Sequence, residues 1–258
     1  MTSHPSDDRV RFAPRPPTRL DRPPLAPDEV ERIRRERLEP RPTQWDYLHL
    51  QGLRRELAAA LGSVLDLNGP VLDLFCGAKP YAELIPRRPV WGVDLDRHFR
   101  GADVIATIPL PFRDGAFAIV LCSQALHLVD DPVVTVGEMA RVLAPNGHAV
   151  VTIPHLFIGE GNLERHWSKR DVRRLFAGWR GVSVRGIDGP GVALAFVAGR
   201  TAMLAARRSR IARALYPVFV RVLNAVCAPI DALLRPLHGR WPHSLIVVAQ
   251  PPTPTGTR

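Results

Sequence analysis

The 258-residue chain is 46% hydrophobic, enough for one large domain, or one domain with an appendage, around a sizeable core in a soluble globular protein. Its net charge of +10 invites a nucleic-acid or anionic-membrane partner, but nearly all the basic residues are Arg, with Lys only at Lys79 and Lys169, a bias that a GC-rich genome also produces. No zinc-finger spacing, basic helix with heptads or aromatic RNA-binding signature occurs, so no nucleic-acid partner is expected, and three widely spaced cysteines, Cys76, Cys122 and Cys227, argue against a disulfide framework.

The N-terminal stretch MTSHPSDDRVRFAPRPP lacks the apolar core of a signal peptide, and with the cysteine usage this predicts a cytoplasmic protein. Residues 1–41 mix Pro, Arg and acidic residues without a sustained apolar period and are expected to form a disordered tail. Within them PDEVERIRRERL has acids early and arginines late, as the macrodipole prefers, and predicts a short helix with a solvated charged face. The main domain is expected over residues 42–258. It opens with a helix over WDYLHLQGLRRELAAAL, where Tyr47, Leu48, Leu53, Leu57 and Leu61 fall near helical spacing.

Apolar strand candidates follow at 70–75, 90–94, 102–106, 117–122, 148–153 and 243–249, with VSVRGID as a further strand before the last, separated by helical or turn-rich pieces. This alternation predicts an α/β, Rossmann-like, doubly wound sheet, in which ligands bind beyond the carboxyl ends of the strands. The first strand runs into VLDLFCGAKPY, where Gly77 lets backbone approach a ligand and the following helix is expected to present free amides. Asp94 closes the next strand, VWGVDLD, at the position that hydrogen-bonds a ribose diol in such folds. Asp73, inside the first strand, must find partners in loop amides or a ligand ammonium. The loop lacks G-x-G-x-x-G and Lys79-Pro80-Tyr81 crowds the helix start, so pyrophosphate is disfavoured; a ribose-bearing ligand without phosphate, such as S-adenosylmethionine, suits it better.

VLDLFCGAKPY, VWGVDLD, LPFRDGAFAIVLCSQALHLVDDP and MARVLAPNGHAVVTIPHLF, in this order, resemble the successive motifs of class I S-adenosylmethionine-dependent methyltransferases of the type 11 group, in the variant with G-x-K-P-Y in the first loop. The resemblance runs from about Trp45 to Val248 and implies seven strands, mainly parallel, the last antiparallel. It implies that Cys76, Gly77, Ala78 and Lys79 face the methionine part of the cofactor, with Lys79 paired to its carboxylate or turned to solvent. Asp94 would hold the ribose hydroxyls and Leu95 the adenine, while Tyr81 lines the pocket or packs the first helix. AFAIVLCSQ would deliver Cys122, Ser123 and Gln124 where cofactor and acceptor meet, Ser123 otherwise capping the next turn.

Three departures stand out. Thr107 occupies the place of an acid that often meets the adenine amine, Phe117-Ala118 replaces Phe-Asp, and His127-Leu128 replaces Glu-His. His127 is the candidate general base for an acceptor hydroxyl, with a structural histidine as the other reading. Further on, Ser168 and Asp171 fit a capping box opening DVRRLF, and His155, Glu160, His166 and Trp167 are candidates to border the acceptor site, without metal-binding spacing.

Between the sixth and last strands lies an insert at about 190–240 in which apolar residues interleave with arginines. Pro217, Pro229 and Pro236 are expected to break it into short helices, none long and apolar enough to cross a membrane. It is either a helical lid over the acceptor or a basic amphipathic surface for anionic lipid at the inner face of the membrane, as Arg207, Arg208, Arg210 and Arg213 suggest. The sequence thus predicts a methyltransferase acting on a small-molecule acceptor, a hydroxyl of a sugar, polyketide or lipid-like compound. The alternatives are a catalytically silent cofactor-binding scaffold and a peripheral membrane protein.

Overall fold

The computed structural model describes residues 23–155 and 167–253. Glu160 and His166 lie outside the described residues, as does the start of the expected tail. Seven strands form one sheet in the order β3-β2-β1-β4-β5-β7-β6. They are β1 (Val71–Leu74), β2 (Val90–Asp94), β3 (Val104–Ile105), β4 (Phe117–Ser123), β5 (Leu143–Pro154), β6 (Arg180–Ile187) and β7 (Ser244–Gln250). The first five run parallel, and β7 is antiparallel to both β5 and β6. The chain order reverses beside β1, which pairs with β2 on one side and β4 on the other, so a crevice opens at the carboxyl ends of these strands. All four residues of β1 are buried, as an interior strand covered on both faces requires.

Two apolar layers sandwich the sheet. One gathers Leu72, Leu74, Val120 and Cys122 with Met139 of α3 (Pro132–Val142), and also Trp167 and Phe176. The other gathers Val71, Ile119 and Leu121 with Leu53, Leu57 and Leu61 of α2 (Tyr47–Gly62). Alternation along β1 and β4 sends successive side chains to opposite layers. The predicted capping box opens α4 (Lys169–Leu175), Ser168 and Asp171 each bonding the other's backbone N–H.

The helix expected over PDEVERIRRERL forms as α1 (Pro27–Leu38), but Val30 and Leu38 are buried, so this part of the expected tail is packed against the domain. The reason lies in those two side chains, which share one helix face within an otherwise charged segment. The chain before α1 crosses the β2–β3 connection: Leu25 N–H donates to His98 O at 2.8 Å and Arg100 Nε to Leu25 O at 2.6 Å.

The insert differs from expectation. It folds into two long helices, α5 (Pro190–Arg208) and α6 (Arg210–Leu233), and α6 continues through Pro217 and Pro229. It is 24 residues long with mean hydropathy 1.4 over an 18-residue window, so a helix of spanning length and composition exists where none was expected. Each proline removes one helical N–H, but packing against the domain offsets that loss. Val220, Asn224, Cys227 and Asp231 are buried along one face of α6. Asn224 Nδ2 donates to Pro42 O at 2.9 Å and Gln44 O at 3.1 Å, and Asp231 Oδ1 accepts from Val192 N–H at 3.1 Å.

Asn224→Leu leaves the two carbonyls it serves without this donor, so urea unfolding should show a loss of about 1–3 kcal/mol. An unchanged midpoint would mean that the pair of bonds does not anchor α6.

Candidate active site at the strand carboxyl ends

Beyond β1 the chain turns through Phe75, Gly77 and Lys79 with φ of 58°, 55° and 53°, every second residue left-handed. Two of these carry side chains, and Gln124 after β4 is left-handed too at 52°. Backbone strain thus collects at one edge of the sheet, where a binding loop rather than a simple connection is expected. The loop is pinned to β2: Cys76 N–H donates to Val93 O at 3.1 Å and Gly77 N–H to Asp94 Oδ2 at 2.9 Å. The other oxygen, Asp94 Oδ1, accepts from Leu95 N–H at 2.8 Å. One carboxylate therefore bridges the first loop and the start of the next. Leu95 is half-buried beside it.

The segment after β2 presses on this loop. A Cβ on Gly101 would lie 2.1 Å from Gly77 O and 2.7 Å from Ala78 C, so only glycine fits there. Neither this glycine nor its reason was visible in the sequence, since the contact joins two loops. On the other side Arg34 Nε of α1 donates to Ala78 O at 3.1 Å.

Lys79 is turned into the protein rather than to solvent. Its Nζ lies 2.5 Å from Asp103 Oδ2 and 3.2 Å from Val90 O, and Asp103 Oδ2 also accepts from Gly92 N–H at 2.6 Å. Partial burial alone would raise the Asp103 carboxyl, but the bonds from Gly92 and Lys79 and the lysine charge outweigh it and hold the pKa below the usual range. The helix expected after the loop is a short 3-10 turn, Pro80–Leu84, with Pro80 at its first position. It presents less of an amide-lined end than an α-helix would. Tyr81 is buried in the layer containing Leu38 and Leu53, which is the packing role.

Asp73 is buried and its Oδ2 has no hydrogen-bond partner among the described residues. Burial, with the neighbouring Asp94 charge, raises its pKa to about 7 against the lowering pull of Lys79. Across the β1–β4 pair, Gln124 N–H is held by Thr152 O at 2.9 Å and Thr152 Oγ1 at 3.0 Å, while its buried Nε2 has no partner among the described residues. Ser123 Oγ lies 3.1 Å from Thr152 Oγ1, so its hydroxyl is tied across to β5 rather than capping a turn. Thr152, fully buried, is a site residue the sequence reading missed.

Three further expected residues differ in exposure. Cys122 is fully buried in the core, and burial drives the thiols of both Cys122 and Cys76 far up, so neither is a nucleophile at neutral pH. Thr107 is exposed beyond β3. His127 lies half-buried in a 3-10 turn, Leu126–Leu128, just past the carboxyl end of β4.

A histidine group that the sequence did not disclose sits further along the same edge. His49 of α2 and His243, just before β7, meet edge-on with centroids 4.8 Å apart, and Phe196 of α5 packs against both. Burial, with the His155 charge, lowers His243 to about 4, and burial holds His49 well below its ordinary value, so both rings are neutral. Each Nδ1 is buried without a hydrogen-bond partner among the described residues. His155 N–H donates to His243 O at 3.1 Å, and His155 Nδ1 lies 2.7 Å from Trp167 O. Two of the expected acceptor-side residues are thus brought together next to this pair.

Residues 72–151, from β1 to β5, match the family described as methyltransferase domain. No curated protein matches the sequence. The crystal structure of the [4+2]-cyclase SpnF is similar over 78% of this chain and 81% of its own, at 20% identity and TM-score 0.52, which supports the fold. A putative sarcosine dimethylglycine methyltransferase from Galdieria sulphuraria is similar over 78% of this chain and 84% of its own, at 17% identity and TM-score 0.49. Phosphoethanolamine N-methyltransferase 2 of Haemonchus contortus, in complex with S-adenosyl-L-methionine, is similar over 76% of this chain and 52% of its own, at 14% identity and TM-score 0.47.

Gly101→Ala forces the loop at Gly77 and Ala78 to move. It should cost about 1–3 kcal/mol and speed amide exchange at Gly77. Exchange at wild-type rates would refute the close packing of the two loops.

Proposed function

We propose that the chain is an S-adenosylmethionine-dependent methyltransferase that methylates a hydroxyl of a small molecule such as a sugar, polyketide or lipid-like compound. One observation carries this reading: a buried carboxylate oxygen of Asp73 and a buried amide of Gln124, both unpartnered among the described residues, at the carboxyl ends of adjacent strands. Unsatisfied buried polar atoms are costly, and their persistence at one edge fits a ligand with its own charged groups. Asp73 suits the ligand ammonium, and Gln124 its carboxylate or the acceptor. Asp94, already accepting two backbone amides, keeps lone pairs for a ribose diol. The match of residues 72–151 to the methyltransferase domain supports the same assignment, with Gly77-Ala78-Lys79-Pro80-Tyr81 as the G-x-K-P-Y form of the first loop.

The cofactor would supply an electrophilic methyl group on a sulfonium. The protein's part is alignment: the strained loop and Gln124 hold one reactant, and the edge toward His155 and His243 receives the other. His127 is the proposed base for the acceptor proton. His243, neutral and of low basicity, is suited to accept a hydrogen bond rather than to remove a proton. A second reading, cofactor binding without methyl transfer, rests on Thr107 in the place of the acid and on His127-Leu128 in place of Glu-His; formation of S-adenosylhomocysteine separates the two.

Calorimetry with S-adenosylmethionine should give micromolar affinity for the wild type and at least tenfold weaker binding for Asp94→Asn, which retains one acceptor for the loop amides. Binding of the ammonium favours ionised Asp73. Affinity should therefore be full above about pH 7 and fall by up to about tenfold per pH unit below it, a dependence that Asp73→Asn removes. A folded wild type that binds neither S-adenosylmethionine nor S-adenosylhomocysteine would overturn the proposal.

A further inference from the structure

α6 is amphipathic in an unusual sense: its apolar stripe faces outward. At about 100° per residue, Ile211, Leu215, Val218, Val222, Val226 and Leu233 fall within an arc of about 80°, roughly 170° from the buried Val220, Asn224, Cys227 and Asp231. All six are exposed, Ile211 by 74% and Leu233 by 80%. From Ile211 to Leu233 the stripe extends about 33 Å at 1.5 Å per residue. A soluble domain rarely leaves so long an apolar surface open without a partner.

The net charge of the insert bears on the partner. Between residues 190 and 243 there are eight arginines, no lysine and one acid, Asp231. That acid is buried, while Arg207, Arg208, Arg210, Arg213 and Arg221 are exposed. A second copy of this surface would bring arginines against arginines with no exposed acid of the insert to pair them, so self-association is disfavoured. An anionic bilayer satisfies both features, the stripe entering the acyl boundary and the arginines meeting headgroups. Trp241, 55% exposed with Arg240 stacked at 5.9 Å from its ring, adds an interfacial anchor where the insert returns to the sheet.

We infer that the α5–α6 hairpin docks on an anionic lipid bilayer with α6 lying in the plane of the interface. Although α6 is long enough to span, its other face carries Asn224 and Asp231, whose bonds to Pro42, Gln44 and Val192 fasten it to the domain. Crossing the bilayer would break these and place an acid in hydrocarbon. Docking also has a geometric consequence. Ile187 at the end of β6 pairs with Ser244 at the start of β7, which pairs with Pro154 at the end of β5. The hairpin therefore leaves and rejoins the sheet at the edge that carries the candidate site, and a docked protein would hold that edge toward the membrane.

The test uses the full chain with vesicles of phosphatidylcholine alone and of phosphatidylcholine mixed with phosphatidylglycerol, read by flotation. The mixed vesicles should bind at least tenfold more protein, and alkaline carbonate should release it. Val218→Glu with Val222→Glu, and separately Arg207→Glu with Arg208→Glu, should each weaken binding about tenfold or more. These positions are exposed, and circular dichroism checks that the variants remain folded. Equal binding by the variants, or none by the wild type, overturns the inference. So does a dimer that Val222→Glu dissolves without any vesicle binding, and carbonate-resistant association would overturn the in-plane arrangement. No arm reads turnover, so failure here is distinguishable from failure of the methyl-transfer reading.

Discussion

The structure depends most on the carboxylate of Asp94. By accepting Gly77 N–H on one oxygen and Leu95 N–H on the other, it couples the loop after β1 to the loop after β2. A charge-assisted bond to backbone is among the stronger single contacts available to a loop. It holds Phe75, Gly77 and Lys79 in left-handed conformations that the chain would not adopt alone. The close approach of Gly101 and the Lys79–Asp103 pair lock the same loop from the β2–β3 side. The protein's own contacts therefore fix the geometry of the crevice, and a site preorganised in this way would limit the cost of binding.

Among the described residues, the same edge gathers buried polar atoms without hydrogen-bond partners, in Asp73, Gln124, His49 and His243. Asp73 is held near neutral pKa by burial, and His49 and His243 are kept uncharged by it. The carboxylate lies at the first loop and the histidines toward β5 and β7, so the edge divides into an anionic-capable half and a neutral aromatic half. That division suits a charged cofactor meeting a less polar acceptor.

Much of the fold was legible because its signals are local. VLDL followed by a small-residue turn marks a buried strand and a tight loop, and VWGVD ends on the acid that grips it. The Ser168–Asp171 cap was equally readable, needing only three residues of spacing. What the sequence hid depends on long-range contacts. Asp103 claims Lys79 across β2, Thr152 claims Ser123 across β4 and β5, and His49 meets His243 from opposite ends of the domain. The continuity of α6 was hidden for another reason: Pro217 and Pro229 are local helix breakers, and only packing through Val220, Asn224 and Cys227 overrides them. The exposed stripe became visible only when that continuous helix revealed which face was buried.

The crevice beside Asp94 is the proposed cofactor site. Its most direct test is titration with S-adenosylhomocysteine followed by backbone amide NMR. The signals of Gly77, Leu95 and Gln124 should shift together and saturate with one affinity, while those of α6 stay in place. Shifts confined to another part of the molecule, or none at saturating ligand, would contradict it.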